Sequence, residues 1–481
     1  MKTLLTALVA AYLGAANLNA GIAAASSDYA VVVSQKTAGI DAWSSVTQSL
    51  AAKHQGVIIT FTNSVDEALP ALQRQFPRYV CFVARPEEAT REFVAQVHRL
   101  TRRFNDDPYT DCFWGILTGH DATNALRIVK QSAPLIVRRV GASTPIALDM
   151  VEEGVWYSEL EKNKMVKKEK GGVAKDLHGP DDTTHALVNL LNDYHADLFI
   201  TSGHASEHDW SIGYRYRNGF FRHDGGQLYG ADAAGQKFNV DSPNPKIYMP
   251  VGNCLMGHVT GPDCMATAWM NSAGVCQMFG YTVETWYGYG GWGVLDYFVE
   301  QPGRYTFTEA FFANQLALEH RLATYFPELL QVKFDPAANT AIEPVLGTAA
   351  KAAGLTVQDG RGLVYDLDTV AFYGDPAWQV RMADEPKFFE QKLTGGKNTF
   401  TFEITPNRGA DSFQPVNTNG SQRGGRPFIA FLPHRVGGVK IIEGAELNPV
   451  ITDNFILVPN PGTCDPAKKY RVVFAIRGNA R

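Results

Sequence analysis

The sequence predicts an α/β protein built as two α/β units with a small β-sandwich behind them, and three observations predict it. β-Branched apolar runs alternate with helix-period stretches from about residue 28 to 325. From Thr399 onward the runs are short, alternating and separated by Gly, Pro and Asn, with no helix-period segment between them. The 481 residues are 45% apolar and 19% charged, an ordinary balance for a chain that buries a core, which excludes disorder over most of its length. That length predicts roughly two to four domains at about 150 residues each.

The elements follow in order. Met1-Lys2, the apolar run Thr3 to Ala16 and the small residues after it have the layout of a secretory signal peptide, cleaved after Ala20 or after Ala25. The expected division is therefore 1–25 signal peptide, 26–140 first α/β unit, 141–390 second α/β unit and 398–481 β-domain. Tyr29–Val33, Gly56–Thr60 and Tyr79–Val83 read as strands. Asp41–His54, a helix from Ser64, Glu88–Phe104 and Asp121–Lys130 read as helices, the second opened by the capping-box-like Ser64-Val65-Asp66-Glu67. The basic stretch Asn163–Gly172 reads as a solvated loop. The second unit then offers helix Thr183–Tyr194, strand Leu198–Thr201, strand Lys246–Val251, helix Cys264–Ser272, strand Val275–Tyr281 and the long helix Phe307–Tyr325. Lys392–Lys397 is the expected linker. Thr399–Ile404, Pro427–Leu432, Gly438–Ile442, Asn454–Val458 and Tyr470–Ile476 are the strands of the sandwich.

Charge and cysteine content narrow the function. The chain has 44 Lys and Arg against 49 Asp and Glu, a formal charge of −5, and nucleic-acid binders usually carry a basic surplus. Loss of Lys2 with the signal leaves about −6. The expected product is secreted or periplasmic, has no membrane span once mature, and is a monomer that binds no nucleic acid. Six cysteines are too few for a disulfide scaffold, and no CxxC pair marks a zinc site. Cys81 and Cys112 are a possible pair, Cys264 and Cys276 read as core residues, and Cys464 has no evident partner.

Two strand tips carry the chemistry. In open α/β sheets reactive residues gather at the carboxyl ends of strands. Leu198-Phe199-Ile200-Thr201-Ser202-Gly203-His204 ends an apolar run in small residues and presents an imidazole. Ile247-Tyr248-Met249-Pro250-Val251-Gly252-Asn253-Cys254 does the same with a thiol. Neighbouring strands in one parallel sheet would put the two tips side by side, where an imidazole can take the proton of a nucleophilic thiol. His204 with His208 and Glu207 also fits the inverted H-x-x-E-H zinc pattern, which requires a helix. The aromatic and basic residues between Tyr214 and Arg222 read as a hairpin beside a substrate cleft.

Thr201-Ser202-Gly203-His204-Ala205-Ser206 followed by Trp210 resembles the Thr-Gly-His-Gly-Ser…Trp motif of gingipain-type cysteine peptidases, members of the caspase-like clan. Cys254 matches the position of their nucleophile. Tyr287-Gly288-Tyr289-Gly290-Gly291 and Phe372-Tyr373-Gly374-Asp375-Pro376-Ala377 continue the similarity, which covers about 28 to 385 and is strongest between 195 and 300. The resemblance implies a caspase-like parallel-sheet catalytic core in two subdomains, followed by an immunoglobulin-like β-sandwich. It implies a cysteine endopeptidase acting on protein or peptide substrates, with Cys254 as nucleophile and His204 as the acid that protonates the leaving amine. Gly203, Ala205, Asn253 and Trp286 are the implied oxyanion- and substrate-binding set. An acidic residue upstream orients the imidazole in the family, and Asp149 and Glu152 are the nearest candidates. Ala205 stands where the family has glycine, and alanine takes positive φ only at a cost. Asp209, Asp263 or Glu284 could line a pocket for a basic side chain. No cofactor is required and no catalytic metal is implied; structural calcium could sit at Asp224-Gly225-Gly226 or Asp181-Asp182. The alternative is a catalytically inactive relative that binds a protein or surface ligand.

Overall fold

The computed structural model describes residues 28–477 apart from 334, 340, 397 and 421. The expected signal peptide, residues 1–25, lies outside the described residues. The first unit alternates β1 (Tyr29–Ser34), β2 (Val57–Phe61), β3 (Tyr79–Val83) and β4 (Phe113–Leu117) with helices α1 (Asp41–His54), α2 (Arg91–Thr101) and α3 (Ala122–Lys130). Local chemistry sets these ends. Thr90 and Asp121 cap α2 and α3 with their side chains, and Ser64 and Glu67 form the expected capping box.

The chain continues through β5 (Arg139–Ala142), β6 (Glu153–Tyr157), β7 (Lys164–Lys168), β8 (Lys175–His178), β9 (Leu198–Thr201), β10 (Lys246–Pro250) and β11 (Val275–Tyr281). Helices α4 (Thr184–Asn192), α5 (Met265–Ser272), α6 (Tyr289–Phe298), α7 (Phe307–Tyr325) and α8 (Val357–Leu367) accompany them, and β12 (Val370–Gly374) closes the series. All twelve strands belong to one sheet, in the order β2-β1-β3-β4-β12-β11-β10-β9-β5-β6-β7-β8. Hydrogen bonding thus runs unbroken across the expected boundary at residue 140. The join is β12, which lies parallel to β4 and antiparallel to β11. The five parallel strands β11, β10, β9, β5 and β6 therefore point opposite to β1–β4. β1, β4, β11 and β12 are buried at every position, as strands covered on both faces must be, whereas edge strand β2 alternates.

The lysine-rich stretch expected as a solvated loop is strand β7, paired antiparallel with β6 and β8. Its alternation is real but hidden by charge: Val166 faces the core, and Lys168 buries its stem and donates to Val151 O at 2.6 Å. The expected linker is also strand. Lys392 pairs with Glu403 inside Phe389–Gly395, and what joins the units is only 383–388.

Beyond it stand two antiparallel sheets. One has four strands, Phe389–Gly395, Thr399–Pro406, Tyr470–Ile476 and Val439–Glu443 in that order; the other has three, Phe428–Phe431, Phe455–Val458 and Val450–Ile451. Alternate residues of both (Phe400, Phe402, Val472 and Phe474 against Phe428, Ile456 and Val458) share one core. The opposite face of the three-stranded sheet, Ile429, Phe455 and Leu457, joins the core of the α/β body. Phe431 packs on Phe113 at 4.8 Å and Phe455 on Tyr109 at 5.1 Å between ring centroids. Arg78 Nη1 donates to Leu432 O across the same junction.

Candidate active site

Strand register brings the two tips together. Thr201 stands opposite Pro250, and Val251 N–H donates to Thr201 O at 2.9 Å just past the last pair. Asn253, wholly buried, stitches the loops beyond: Thr201 Oγ1 donates to its Oδ1 at 2.6 Å and its Nδ2 donates to Gly203 O at 3.0 Å. Asn253 is thus a clamp between the His204 and Cys254 loops. A buried amide satisfied on both its oxygen and nitrogen holds such a geometry well.

The His204 loop is a tight turn. Gly203 sits at φ +101°, backbone that glycine alone adopts at little cost. Ala205 pairs with Trp210 as an isolated bridge and takes no positive φ, so the turn needs no glycine there. Trp210, buried, donates from Nε1 to Ser202 O at 2.9 Å, and Ser211 N–H donates to His204 O at 2.9 Å. The turn opens the four-stranded sheet Asp209–Ser211, Phe220–Asp224, Gln227–Ala231 and Lys237–Asn239, which contains the expected aromatic hairpin. His204 is exposed on one side and stacked on Tyr214 on the other, with ring centroids 4.8 Å apart.

Cys254 differs from the other cysteines. All six are free, and only Cys254 is not buried, so the expected Cys81–Cys112 pair does not form. Its Sγ accepts from Thr285 N–H at 3.2 Å and lies 3.8 Å from Thr285 O. Leu255, next in the chain, has φ +56°, an arrangement a non-glycine residue holds only under constraint from its neighbours, here a bond from its N–H to Val283 O. Cys254 and His204 sit on adjacent stitched loops and share no hydrogen bond. Catalytic bonds are often longer before substrate binds. Trp286 is 42% exposed beside Thr285 and packs on Tyr287 and Tyr365. Tyr214 and Trp286 are the two exposed aromatic residues among the described ones, and both flank this pair.

The acidic partners expected from sequence lie elsewhere. Glu152 precedes β6, at the amino ends of the parallel strands, and is bound to Arg138 and Lys170. Asp149 is exposed in the turn Leu148–Met150 that leads to that same end. Strand direction, rather than distance along the chain, puts both at the edge away from His204 and Cys254. Glu159, just past the carboxyl end of β6, stands at the same edge as those two residues. It is buried; Thr144 Oγ1 donates to its Oε1 at 2.8 Å, while Oε2 has no hydrogen-bond partner. A Cβ built on Gly203 would stand 3.5 Å from that oxygen, so Oε2 faces the turn that carries His204. Burial raises the Glu159 carboxyl to about 6 against the partial offset of the Thr144 hydroxyl. The Glu159 carbonyl also accepts from the N–H groups of Tyr214 and Arg215, at 2.6 and 3.2 Å.

Neither the family models nor the curated proteins compared with this chain contain a match. Among solved structures, the Arg-specific cysteine proteinase gingipain R (RgpB) is similar at 12% identity and a TM-score of 0.44, over 94% of this chain and 95% of that one. The complex of Porphyromonas gingivalis RgpB pro- and mature domains is similar at 11% identity and a TM-score of 0.43, covering 94% and 93%. A structure of a protease follows at 8% identity, a TM-score of 0.37 and 94% of each chain.

The remaining candidates are engaged in other ways. His204 and His208 are on a turn, not a helix, so they share no face: His208 lies 5.7 Å from the His223 ring while His204 stacks on Tyr214. The zinc pattern therefore has no geometric basis here. Asp209 accepts from Ser206 Oγ, Asp263 from His223 Nδ1 and Gly226 N–H, and Glu284 is exposed. Asp224-Gly225-Gly226 forms a tight hairpin turn, and Asp181 and Asp182 are bound to Lys162 and Asn163, and to the Thr184 and Ala233 amides. Among the described residues no group of three or more His, Cys, Asp or Glu side chains is arranged to hold a metal ion. Sequence reading missed Glu159 because its signal is topological: a carboxylate two residues past a strand counts only once that strand is known to be parallel to β9.

Proposed function

We propose that the chain is a cysteine endopeptidase of the gingipain kind, exported and acting on protein or peptide substrates. The observation that carries this reading is the Asn253 clamp, which joins the loops bearing His204 and the one thiol that is not buried. In the proposed reaction the Cys254 thiolate attacks the scissile carbonyl carbon, forming a C–S bond and an oxyanion. Backbone N–H groups at Cys254 and beside His204 hold that oxyanion, each typically worth about 3–4 kcal/mol. As the C–N bond breaks, protonated His204 gives its proton to the leaving amine. Water then adds to the thioester carbonyl carbon, its proton going to His204, and the C–S bond breaks to release the acid and return the Cys254 thiolate beside protonated His204. Glu159 replaces Asp149 and Glu152 as the carboxylate that orients the imidazole. Trp286 and Tyr214 supply apolar walls for the substrate chain, and the two C-terminal sheets form the immunoglobulin-like domain. No described helix is long and apolar enough to cross a membrane.

A second reading, a silent relative that binds protein ligands, is favoured by the missing Cys254–His204 bond. One experiment separates the two. Incubated with mixed peptides, the parent chain should cut, Cys254→Ala should not, and iodoacetamide should label Cys254 faster than it labels free cysteine at the same pH. A parent chain that leaves every peptide intact, with Cys254 no more reactive than free cysteine, would falsify the peptidase.

A further inference from the structure

We propose that the C-terminal β-unit is a brace for the nucleophile, acting through its residues 415–420 and 422–426 on helix α6; the catalytic part of this rests on the peptidase reading above. α6 is buried at all ten positions and carries three glycines on its contact surfaces. A Cβ on Gly291 would fall 2.1 Å from Val251 O, so the helix lies directly on the end of β10, three residues before Cys254. Trp292 passes beneath the next residue: a Cβ on Gly252 would meet its Cζ2 at 3.2 Å and Ser202 Oγ at 2.6 Å. One helical turn thus floors the Cys254 loop at Gly252, against which Ser202 of the His204 loop also packs.

The other side of that turn belongs to the β-unit. Gly420, at φ +90°, lies flat on the Trp292 ring, where a Cβ would come within 2.8 Å. Arg423 stands over the same ring at 5.6 Å and pairs with Asp296 Oδ1 at 2.6 Å and with Glu300. Arg426 pairs with Asp296 Oδ2 at 3.0 Å and lies over the Tyr289 ring at 3.7 Å, and Gly424 N–H donates to Asp296 Oδ2 at 2.9 Å. Asn417 Nδ2 reaches Pro145 O at 3.4 Å. Both arginines and both carboxylates are buried. Such clusters add little net stability over apolar contacts, but they fix position sharply, because each charge tolerates only its own partner geometry. The apolar face of Ile429, Phe455 and Leu457 already attaches the unit. What the charge cluster adds is the height of Trp292 under Gly252, and with it the height of Cys254. Gly420, Arg423 and Trp292 are therefore positioning residues.

The test uses the full chain. Gly420→Ala pushes a methyl into the Trp292 ring and leaves every charge in place. It should lower kcat by about 10- to 100-fold with KM unchanged, as a displaced nucleophile does, and change the Cys254 alkylation rate by about tenfold or more. Val472→Ala, in the core of the same unit but away from α6, should lower the melting temperature and leave both rates as in the parent. Arg423→Lys keeps the charge but loses the paired geometry, and should repeat the Gly420→Ala result if that variant does not fold. Folded Gly420→Ala with parental kcat and parental alkylation overturns the brace. If the parent cuts no peptide, the peptidase reading falls, and the alkylation rate alone decides for or against the brace.

Discussion

Burial raises the Glu159 carboxyl to about 6, and the role proposed for it beside His204 makes that charge open to test. The sign follows from its proton affinity. The folded protein binds this proton more tightly than the unfolded chain, so stability is greatest below the ordinary value of 4.5 and falls as pH rises to about 6, by about 2 kcal/mol in all. Glu159→Gln removes that loss. At pH 7.5 the variant should melt no lower than the parent, yet its kcat should drop about 10- to 100-fold with KM little changed, because the imidazole loses its orienting charge. A parallel loss of melting temperature and activity would make Glu159 merely structural. Tyr214 belongs to the same small system, since the Glu159 carbonyl fixes its backbone and its ring covers His204. None of this was legible along the chain. His204 and Cys254 were, because each ends an apolar run with small residues, a local pattern. Glu159 could not be picked out that way: Asp149, Glu152 and Glu159 are all short steps from β6, and only the direction of the strand separates them.

Among the elements, β12 depends on one side chain at its end. Asp375 is fully buried and accepts from Tyr29 OH at 2.8 Å, Lys53 Nζ at 2.9 Å and Ala377 N–H at 3.0 Å, with His54 Nε2 at 2.7 Å. It ties the last strand of the sheet to β1 and to the last turn of α1. Burial alone would raise this carboxyl, but the His54 hydrogen bond and the Lys53 charge outweigh it and hold it at about 2. A depressed carboxylate contributes stability above its ordinary value of 3.8 and loses it as pH falls toward 2. Acid titration followed by circular dichroism should show about 2 kcal/mol disappearing across that window, and Asp375→Asn should lose most of that pH dependence. An unchanged acid transition in the variant would assign the effect to other groups. The mostly apolar strands β3, β9 and β11 and the long helix α7, with its apolar face, were plain in sequence to the residue. β7 and Phe389–Gly395 were not, because lysine breaks their apolar pattern, Lys168 on the buried side of β7 and Lys392 on the exposed side of the other strand, and β5 and β6 each open on a charged residue and hold a glycine.

For the whole molecule, the three-stranded sheet of the β-unit belongs to two cores at once, with Phe428, Ile456 and Val458 on one face and Ile429, Phe455 and Leu457 on the other. Neither core is complete without it, so the chain should unfold in one calorimetric transition. Phe455→Ala, which opens a cavity on the α/β side, should cost about 3–5 kcal/mol and lower that single transition. Two separate transitions in the parent would show the units to be independent. The β12 join carries a consequence for biosynthesis. Its strand leaves the ribosome after some 370 residues, while its neighbours β4 and β11 were made far earlier. Until it arrives, both have an edge of unpaired N–H and C=O groups, which invites pairing with other chains. Translation therefore passes through an interval in which β4 and β11 each wait for their shared partner strand, and on the brace proposed above the Cys254 loop waits longer still, for residues 415–420 and 422–426.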